Sequence, residues 1–402
     1  MDYRRFGKTE IQMPVFSCGG MRYQQGWKDV PFPQIEKANQ ENLEATIRRS
    51  VELGINHIET ARGYGTSEMQ LGKILPQFKR DELIVQTKVA VLENGDAFLK
   101  DFEKSMAYLQ LDRVDLLSIH GINNLDLLDT AIKPNGCLEM ARKLQKAGRV
   151  GHVGFSTHAD CHCICKAIQT QVFGGFDYVN LHWYYINPSN WQAVLQAREK
   201  DMGVFIISPN DKGGMLYQPT QQWLKACQGV DPMVFNDWFC LLKKEVHTLS
   251  IGASCPSDFD VHVAGLKELA TAEKKVKAIT AHLEDLMMTH TGAKHPYQPC
   301  GEMPSWEKVP SQMNLQVMIW LWHMAKAWGM IDYGKMRYNL LGNAEHWFPG
   351  EHAGKLDEIS QQQLEACVKG LNCEKWIFPR LLEAHQMLCA EKTKRLSETS
   401  EK

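Results

Sequence analysis

The sequence predicts an α/β protein, a (β/α)8 TIM barrel followed by an additional C-terminal all-helical domain. Three observations predict it. Short apolar runs at residues 15–18, 54–58, 83–88, 114–120, 150–158, 176–181, 202–209 and 246–251 read as strands, with helical segments between them. Eight strands alternating with helices imply a parallel barrel. Three consecutive strands then deliver polar side chains to one end: Glu59 with Tyr64 just beyond it, Lys88 and His120. In a (β/α)8 barrel, chemistry sits at the end where strands finish. A barrel of this kind takes about 250 residues, and beyond that length only helical pattern remains.

Taken in order, Arg5-Phe6, Gly7-Lys8 and Ile11 suggest a short hairpin that plugs the bottom of the barrel. The first strand runs into Gly19-Gly20-Met21-Arg22, where glycine lets backbone approach a ligand closely. Residues 23–38 form a polar, proline-containing loop. Residues 39–53 place Leu43, Ile47 and Val51 on one helical face. Further helices are expected from Ser67 to Leu75, over 98–109, within 125–147 ahead of Gly148, and from Cys161. The eighth helix covers about 258–270. The chain then reads as helix over 273–288 and as a strongly apolar, buried helix over 315–328. The domains are assigned as 1–285 for the barrel and 286–402 for the helices, with a disordered tail from about 393.

Composition narrows the function classes. The net charge of −2 gives no electrostatic footprint for nucleic acid. No apolar stretch is long and uninterrupted enough to span a membrane. Twelve cysteines in a long chain without a signal-peptide pattern read as reduced thiols, which implies a cytoplasmic protein. Cys161-His162-Cys163-Ile164-Cys165 has the look of a metal site, yet no second ligand pair at zinc spacing accompanies it, so no metal is assigned. His290 and His295 near Cys300 read as solvated histidines on a polar loop.

Residues 59–68, Glu-Thr-Ala-Arg-Gly-Tyr-Gly-Thr-Ser-Glu, resemble the D-T-A-x-x-Y-G-x-S-E signature of the aldo-keto reductases. Thr87-Lys88 and the run from Leu116 to His120 match that family's T-K and L-L-x-x-H in order and spacing. The resemblance implies a catalytic tetrad of Glu59, Tyr64, Lys88 and His120, with glutamate standing where the family has aspartate. It also implies a nicotinamide cofactor held by Gly20, Met21, Ser156, Thr157, Asn180, Ser208, Gly213, Gly214, Leu216, Gly252 and Ser254. Two of these places depart from the family pattern, Ser156-Thr157 replacing Ser-Asn and Asn180 a glutamine, and next to Ser208 the residue Ile207 stands where many members have a stacking aromatic. The loop after the eighth strand, residues 252–258, carries no Arg or Lys. Its Ser254, Ser257 and backbone N–H groups can bind a phosphate, whereas Asp258 would repel one. The family default is NADP, with NAD as the other choice.

The tetrad makes chemical sense. Carbonyl reduction needs a hydride, which no side chain supplies and a nicotinamide does. It also needs a proton donor. A free phenol, with pKa about 10, is a poor acid at neutral pH, and a neighbouring ammonium lowers that value. Lys88 is the candidate ammonium, Glu59 the carboxylate that keeps it charged, and His120 the imidazole that bonds the substrate oxygen as charge grows there. The expected function is NAD(P)H-dependent reduction of a small aldehyde or ketone with Tyr64 as proton donor. The alternative is a catalytically degenerate barrel that serves as a binding or assembly module, with a protein as its partner.

Residues 342–350 resemble a segment of aldo-keto reductase-like proteins that carry a C-terminal ferredoxin-like helical domain. That domain ordinarily binds [4Fe–4S] clusters, each through four cysteines. Here only Cys300 lies near the first cluster motif, and Cys367 and Cys373 near the second, without C-x2-C spacing. The expectation is a scaffold without iron–sulfur clusters, held by packing around Trp320, Trp322, Trp328, Trp347 and Trp376. Residues 23–38 and 217–235, which shape the pocket, carry no legible substrate code.

Overall fold

The computed structural model describes residues 1–210, 215–298, 303–342, 350–351 and 353–389. Two strands, β1 (Tyr3–Arg5) and β2 (Gln12–Pro14), pair antiparallel as a hairpin. Eight further strands follow: β3 (Phe16–Gly19), β4 (His57–Glu59), β5 (Ile84–Ala90), β6 (Val114–His120), β7 (Val150–Ser156), β8 (Tyr178–Leu181), β9 (Gly203–Ile206) and β10 (Thr248–Ile251). They close in the order β10-β3-β4-β5-β6-β7-β8-β9, every neighbouring pair parallel. This is the (β/α)8 barrel that the alternating pattern predicts. Several strands are shorter than their apolar runs, because a strand ends where its ladder partners end. β4 keeps only His57 and Ile58 of its run and extends one residue beyond it, to Glu59.

The helices between strands are set by local chemistry. Asn94, Asn124 and Asp160 each accept a hydrogen bond from the backbone N–H three residues on, starting helices Gly95–Leu109, Leu125–Ile132 and Cys161–Gln169. The single helix expected within 125–147 is two helices, Leu125–Ile132 and Cys137–Lys146. Pro134 explains the break, since Lys133 before it is extended at ψ 159°.

The hairpin closes the bottom of the barrel. Phe6 is fully buried with Met13, Leu116, Tyr178 and Phe205. Two glycines make the room. A Cβ on Gly203 would come within 2.6 Å of the Phe6 ring, and one on Gly154 within 2.6 Å of the Tyr178 ring.

A polar belt crosses the barrel interior above this plug. Ser17 Oγ contacts Thr248 Oγ1 at 2.7 Å and His57 Nδ1 at 2.6 Å, and His57 Nε2 contacts Gln86 Oε1 at 3.1 Å. Gln86 donates to Ser118 Oγ at 3.0 Å, and Ser118 to Tyr178 Oη at 3.1 Å. His57, Gln86 and Ser118 stand two residues before Glu59, Lys88 and His120, so they share the inward face directly beneath them. Burial holds the His57 imidazole neutral, its pKa pushed down to about 3.

By contacts the chain divides into two units. The first comprises Met1–Tyr185, Ser189–Gly214 and Asn236–Thr271, and the second Ile186–Pro188, Met215–Phe235 and Ala272–Lys402. Helix Glu273–Thr291, which spans the boundary read from sequence at 285, belongs with the second. The second unit is helical and centred on Leu315–Trp328, which is buried nearly all round. That helix packs against Glu273–Thr291, Ile331–Tyr338 and Ile377–Leu388. Trp320 and Trp328 are fully buried, and their indole N–H groups donate to Ile186 O at 2.8 Å and Leu283 O at 3.0 Å. Trp322 donates to Glu383, while the Arg380 guanidinium lies over both Trp322 and Trp376. Trp347, Cys300, most of the segment 342–350 and the tail lie outside the described residues. Among the described residues no helix is long and apolar enough to cross a membrane.

Candidate active site

Glu59 ends β4 and Lys88 lies on β5, both turned into the barrel mouth and almost fully buried. Their side chains form an ion pair. Lys88 Nζ also donates to Thr60 O at 3.0 Å and to Tyr64 Oη at 3.3 Å, with the ammonium 4.6 Å from the Tyr64 ring centroid. His120 ends β6, its ring meeting Tyr64 edge to face at 5.8 Å. Two strand ends, the last pleat of β5 and one loop thus bring the four residues together.

The extra methylene of Glu59 has its own space. A Cβ on Gly19 would stand 3.3 Å from Glu59 Oε2 and 2.5 Å from Ser250 Oγ, so glycine on the neighbouring strand leaves room for the longer carboxylate. Gly20 is packed as tightly. A Cβ there would meet Glu59 O at 2.7 Å and Ser67 Oγ at 2.9 Å. Its backbone faces the signature turn, which itself explains the absent side chain.

Electrostatics favour proton holding at Tyr64. Burial pushes its phenol above the ordinary tyrosine range, so it remains protonated at neutral pH. Burial also lowers the Lys88 ammonium well below an ordinary lysine. The Glu59 carboxylate acts against that second shift by favouring the charged lysine. An ammonium set between a carboxylate and a phenol is able to stabilise the phenolate left when Tyr64 gives up its proton.

The residues expected to hold a cofactor divide. Asn180 on β8 is fully buried, and neither its amide nitrogen nor its amide oxygen has a hydrogen-bond partner. A donor and an acceptor left open at the barrel mouth fit a ligand carboxamide. Ser156 lies buried beside it in register on β7. Thr157 is otherwise engaged: its hydroxyl donates to Ile122 O at 2.6 Å and accepts from Ala159 N at 2.9 Å. Ile207 packs against the apolar cluster around Phe6. Ser208 follows with a left-handed backbone, φ 54°, a conformation uncommon outside glycine. Met21 is half-buried. Gly252 and Ser254 follow β10, where Arg22 donates to Gly252 O at 2.7 Å and contacts Ser254 Oγ at 3.4 Å. Gly213 and Gly214 lie outside the described residues, and Leu216 lies on the turn Met215–Tyr217 of the second unit.

Other residues at the mouth escape a reading by motif. Arg62 pairs with Glu68 and Asp29, and its backbone N–H donates to Lys88 O at 2.8 Å, tying the signature loop to β5 and to the loop 23–38. Trp27 on that loop meets Tyr64 edge to face at 6.3 Å. His158 Nδ1 contacts His182 Nε2 at 2.6 Å. The signal for this pair was present: each histidine stands two residues past an inward-facing strand residue, Ser156 on β7 and Asn180 on β8. Cys161 Sγ and Cys165 Sγ are 3.9 Å apart on one helix. Among the described residues no group of three or more His, Cys, Asp or Glu is placed to hold a metal ion.

Comparison with known proteins bears on the family and the fold. Residues 16–222 match the model of the Aldo/keto reductase family. The chain is 27% identical over 252 residues to L-galactose dehydrogenase of Arabidopsis thaliana, covering 56% of this chain and 78% of that protein. It is 26% identical over 176 residues to L-glyceraldehyde 3-phosphate reductase of Escherichia coli, covering 40% and 46%. Among solved structures, the holo form of aldo-keto reductase AKR11C1 from Bacillus halodurans superposes with a TM-score of 0.57 at 17% identity. It covers 70% of this chain and 96% of that one, which shows the fold. With the family model covering more than half of its length and the signature residues meeting at the mouth of an eight-stranded barrel, the chain belongs to the aldo/keto reductase family.

Proposed function

We propose that this protein is an NAD(P)H-dependent reductase of a small aldehyde or ketone, with Tyr64 as the proton donor. The observation that carries the reading is the double contact of Lys88, paired with Glu59 and hydrogen-bonded to Tyr64 Oη. A bound nicotinamide supplies the hydride. The substrate oxygen sits between Tyr64 Oη and the His120 ring. As negative charge grows on that oxygen, Tyr64 passes its proton to it. The Lys88 ammonium stabilises the phenolate left behind, and Glu59 keeps that ammonium charged. In the reverse direction the phenolate takes the proton back from an alcohol. Ser156 and the open amide of Asn180 orient the carboxamide.

The test is Tyr64→Phe. Turnover of aldehydes by the variant should fall by roughly a hundredfold or more, the scale of general acid catalysis, while dinucleotide affinity stays within a factor of about three. Full turnover without the phenol would remove Tyr64 from the reaction. A second reading, a barrel that binds without catalysis, draws on the engaged Thr157 hydroxyl. Titration of intrinsic tryptophan fluorescence with both dinucleotides separates the two, because only the reductase requires binding.

A further inference from the structure

The loop after β10 holds an acidic device that the assigned chemistry does not use. In (β/α)8 barrels, phosphate is commonly held by the loops after the seventh and eighth strands and by the helix N-terminus beside them. Here the eighth strand is β10, followed by residues 252–257 and helix Asp258–Leu266. One N–H donor of that loop, on Ser254, is already taken. Asp258 Oδ2 accepts from Ser254 N at 2.7 Å and from Ser254 Oγ at 2.9 Å. Asp258 Oδ1 accepts from Cys255 Sγ at 3.4 Å. The nearest cation, Arg22, stands 3.6 Å from the same carboxylate and donates to Gly252 O. Asn42 fixes the loop from outside, donating to Ser254 O at 2.7 Å. The helix's own carboxylate therefore occupies the place an incoming phosphate would take, and it holds the arginine that would neutralise one.

The resemblance to the aldo-keto reductases implies which phosphate is affected, because in that family the loop after the eighth strand faces the adenosine end. Asn180 lies on β8, and β9 and then β10 follow it around the barrel. With its carboxamide at Asn180, a dinucleotide laid as that resemblance implies would present its adenosine end to the loop after β10, two strands away. NADH offers there a ribose 2′-hydroxyl, which can donate to a carboxylate. NADPH offers a 2′-phosphate carrying about −1.5 to −2 charges, which a carboxylate repels. We propose that Asp258 selects NADH over NADPH in this protein, by setting a carboxylate, already bonded to Ser254 and held beside Arg22, where a 2′-phosphate would sit. The inference rests on the reading of the barrel mouth as a dinucleotide site. It reverses the choice that family resemblance alone suggests.

The test is equilibrium titration of the full chain with NADH and NADPH, followed by quenching of tryptophan fluorescence at low salt. NADH should bind more tightly by on the order of tenfold, the repulsion of like charges acting only on NADPH. Raising ionic strength should narrow that ratio by screening the repulsion. Asp258→Asn keeps the size and removes the charge, and Asp258→Ser removes both. Each should shift the ratio toward NADPH by roughly tenfold, with melting curves confirming that the barrel still folds. Equal or tighter binding of NADPH by the unaltered chain would overturn the inference, as would a ratio unmoved in both folded variants. NADPH binding that is tighter and is lost in Arg22→Ala would assign the loop to reading the phosphate. If neither dinucleotide binds, the cofactor site itself is wrong and the inference falls with it.

Discussion

At the scale of single residues, Glu59 is the position where sequence and geometry speak most differently. Read as text, a glutamate in an aspartate's place misplaces a carboxylate by roughly 1.5 Å, enough to cost much of a rate. In the structure its pairing with Lys88 is kept, because Gly19 on the neighbouring strand leaves the side chain room. The pair is almost fully buried, so its loss will be felt. Glu59→Gln leaves Lys88 without its counter-charge. We expect a destabilisation of about 1–3 kcal/mol, below the full cost of an orphaned charge because Lys88 is able to shed its proton. Thermal unfolding measures it, and a melting temperature equal to the parent's would refute the stated role of Glu59. Thr157 shows the opposite case. Its identity was legible, but its use was not, since the Ile122 carbonyl that takes its hydroxyl lies on another loop.

Strands and their spacing were legible where local pattern fixes them. β6 and helix Leu315–Trp328 match their expected bounds, and the strand ends at Glu59 and His120 were read correctly, whereas β5 runs two residues past Lys88 to Ala90 because its ladder with β6 continues that far. What binds strands across the barrel was not. The polar belt joins Ser17 to Thr248, 231 residues apart, and Ser118 to Tyr178, 60 apart. No local period announces such partners. Gly154 belongs to the same layer, facing the Tyr178 ring that ends the belt. Gly154→Ala should cost about 1–3 kcal/mol, as other overpacked cores do, because the added methyl meets an aromatic ring that packs on Phe6 and is hydrogen-bonded by Ser118. Denaturant titration reads it, and an unchanged midpoint would mean that the ring moves freely aside.

For the molecule as a whole, buried neutral histidines set the response to acid. Burial lowers His57 to about 3 and His247 and His323 to about 4, against about 6.5 in an unfolded chain. Below about pH 6.5 the unfolded chain binds protons that the folded one refuses. Stability is therefore full above that pH and falls by about 1.4 kcal/mol per unit for each such histidine down toward pH 4. Urea unfolding midpoints between pH 7 and 4.5 should decline accordingly, less steeply in His57→Asn, and a flat profile would contradict the burial of these rings. The sequence by itself determined the barrel, its strand order and the four residues at its mouth, because alternation and strand-end chemistry are written within short windows of chain. Only the tertiary structure decided which groups at that mouth remain open. The amide of Asn180 is free and the hydroxyl of Thr157 is engaged, while Asp258 caps its own loop. Whether a hydrogen-bonding group is left for a ligand depends on partners that folding brings from distant segments, and each buried group takes the nearest one it meets.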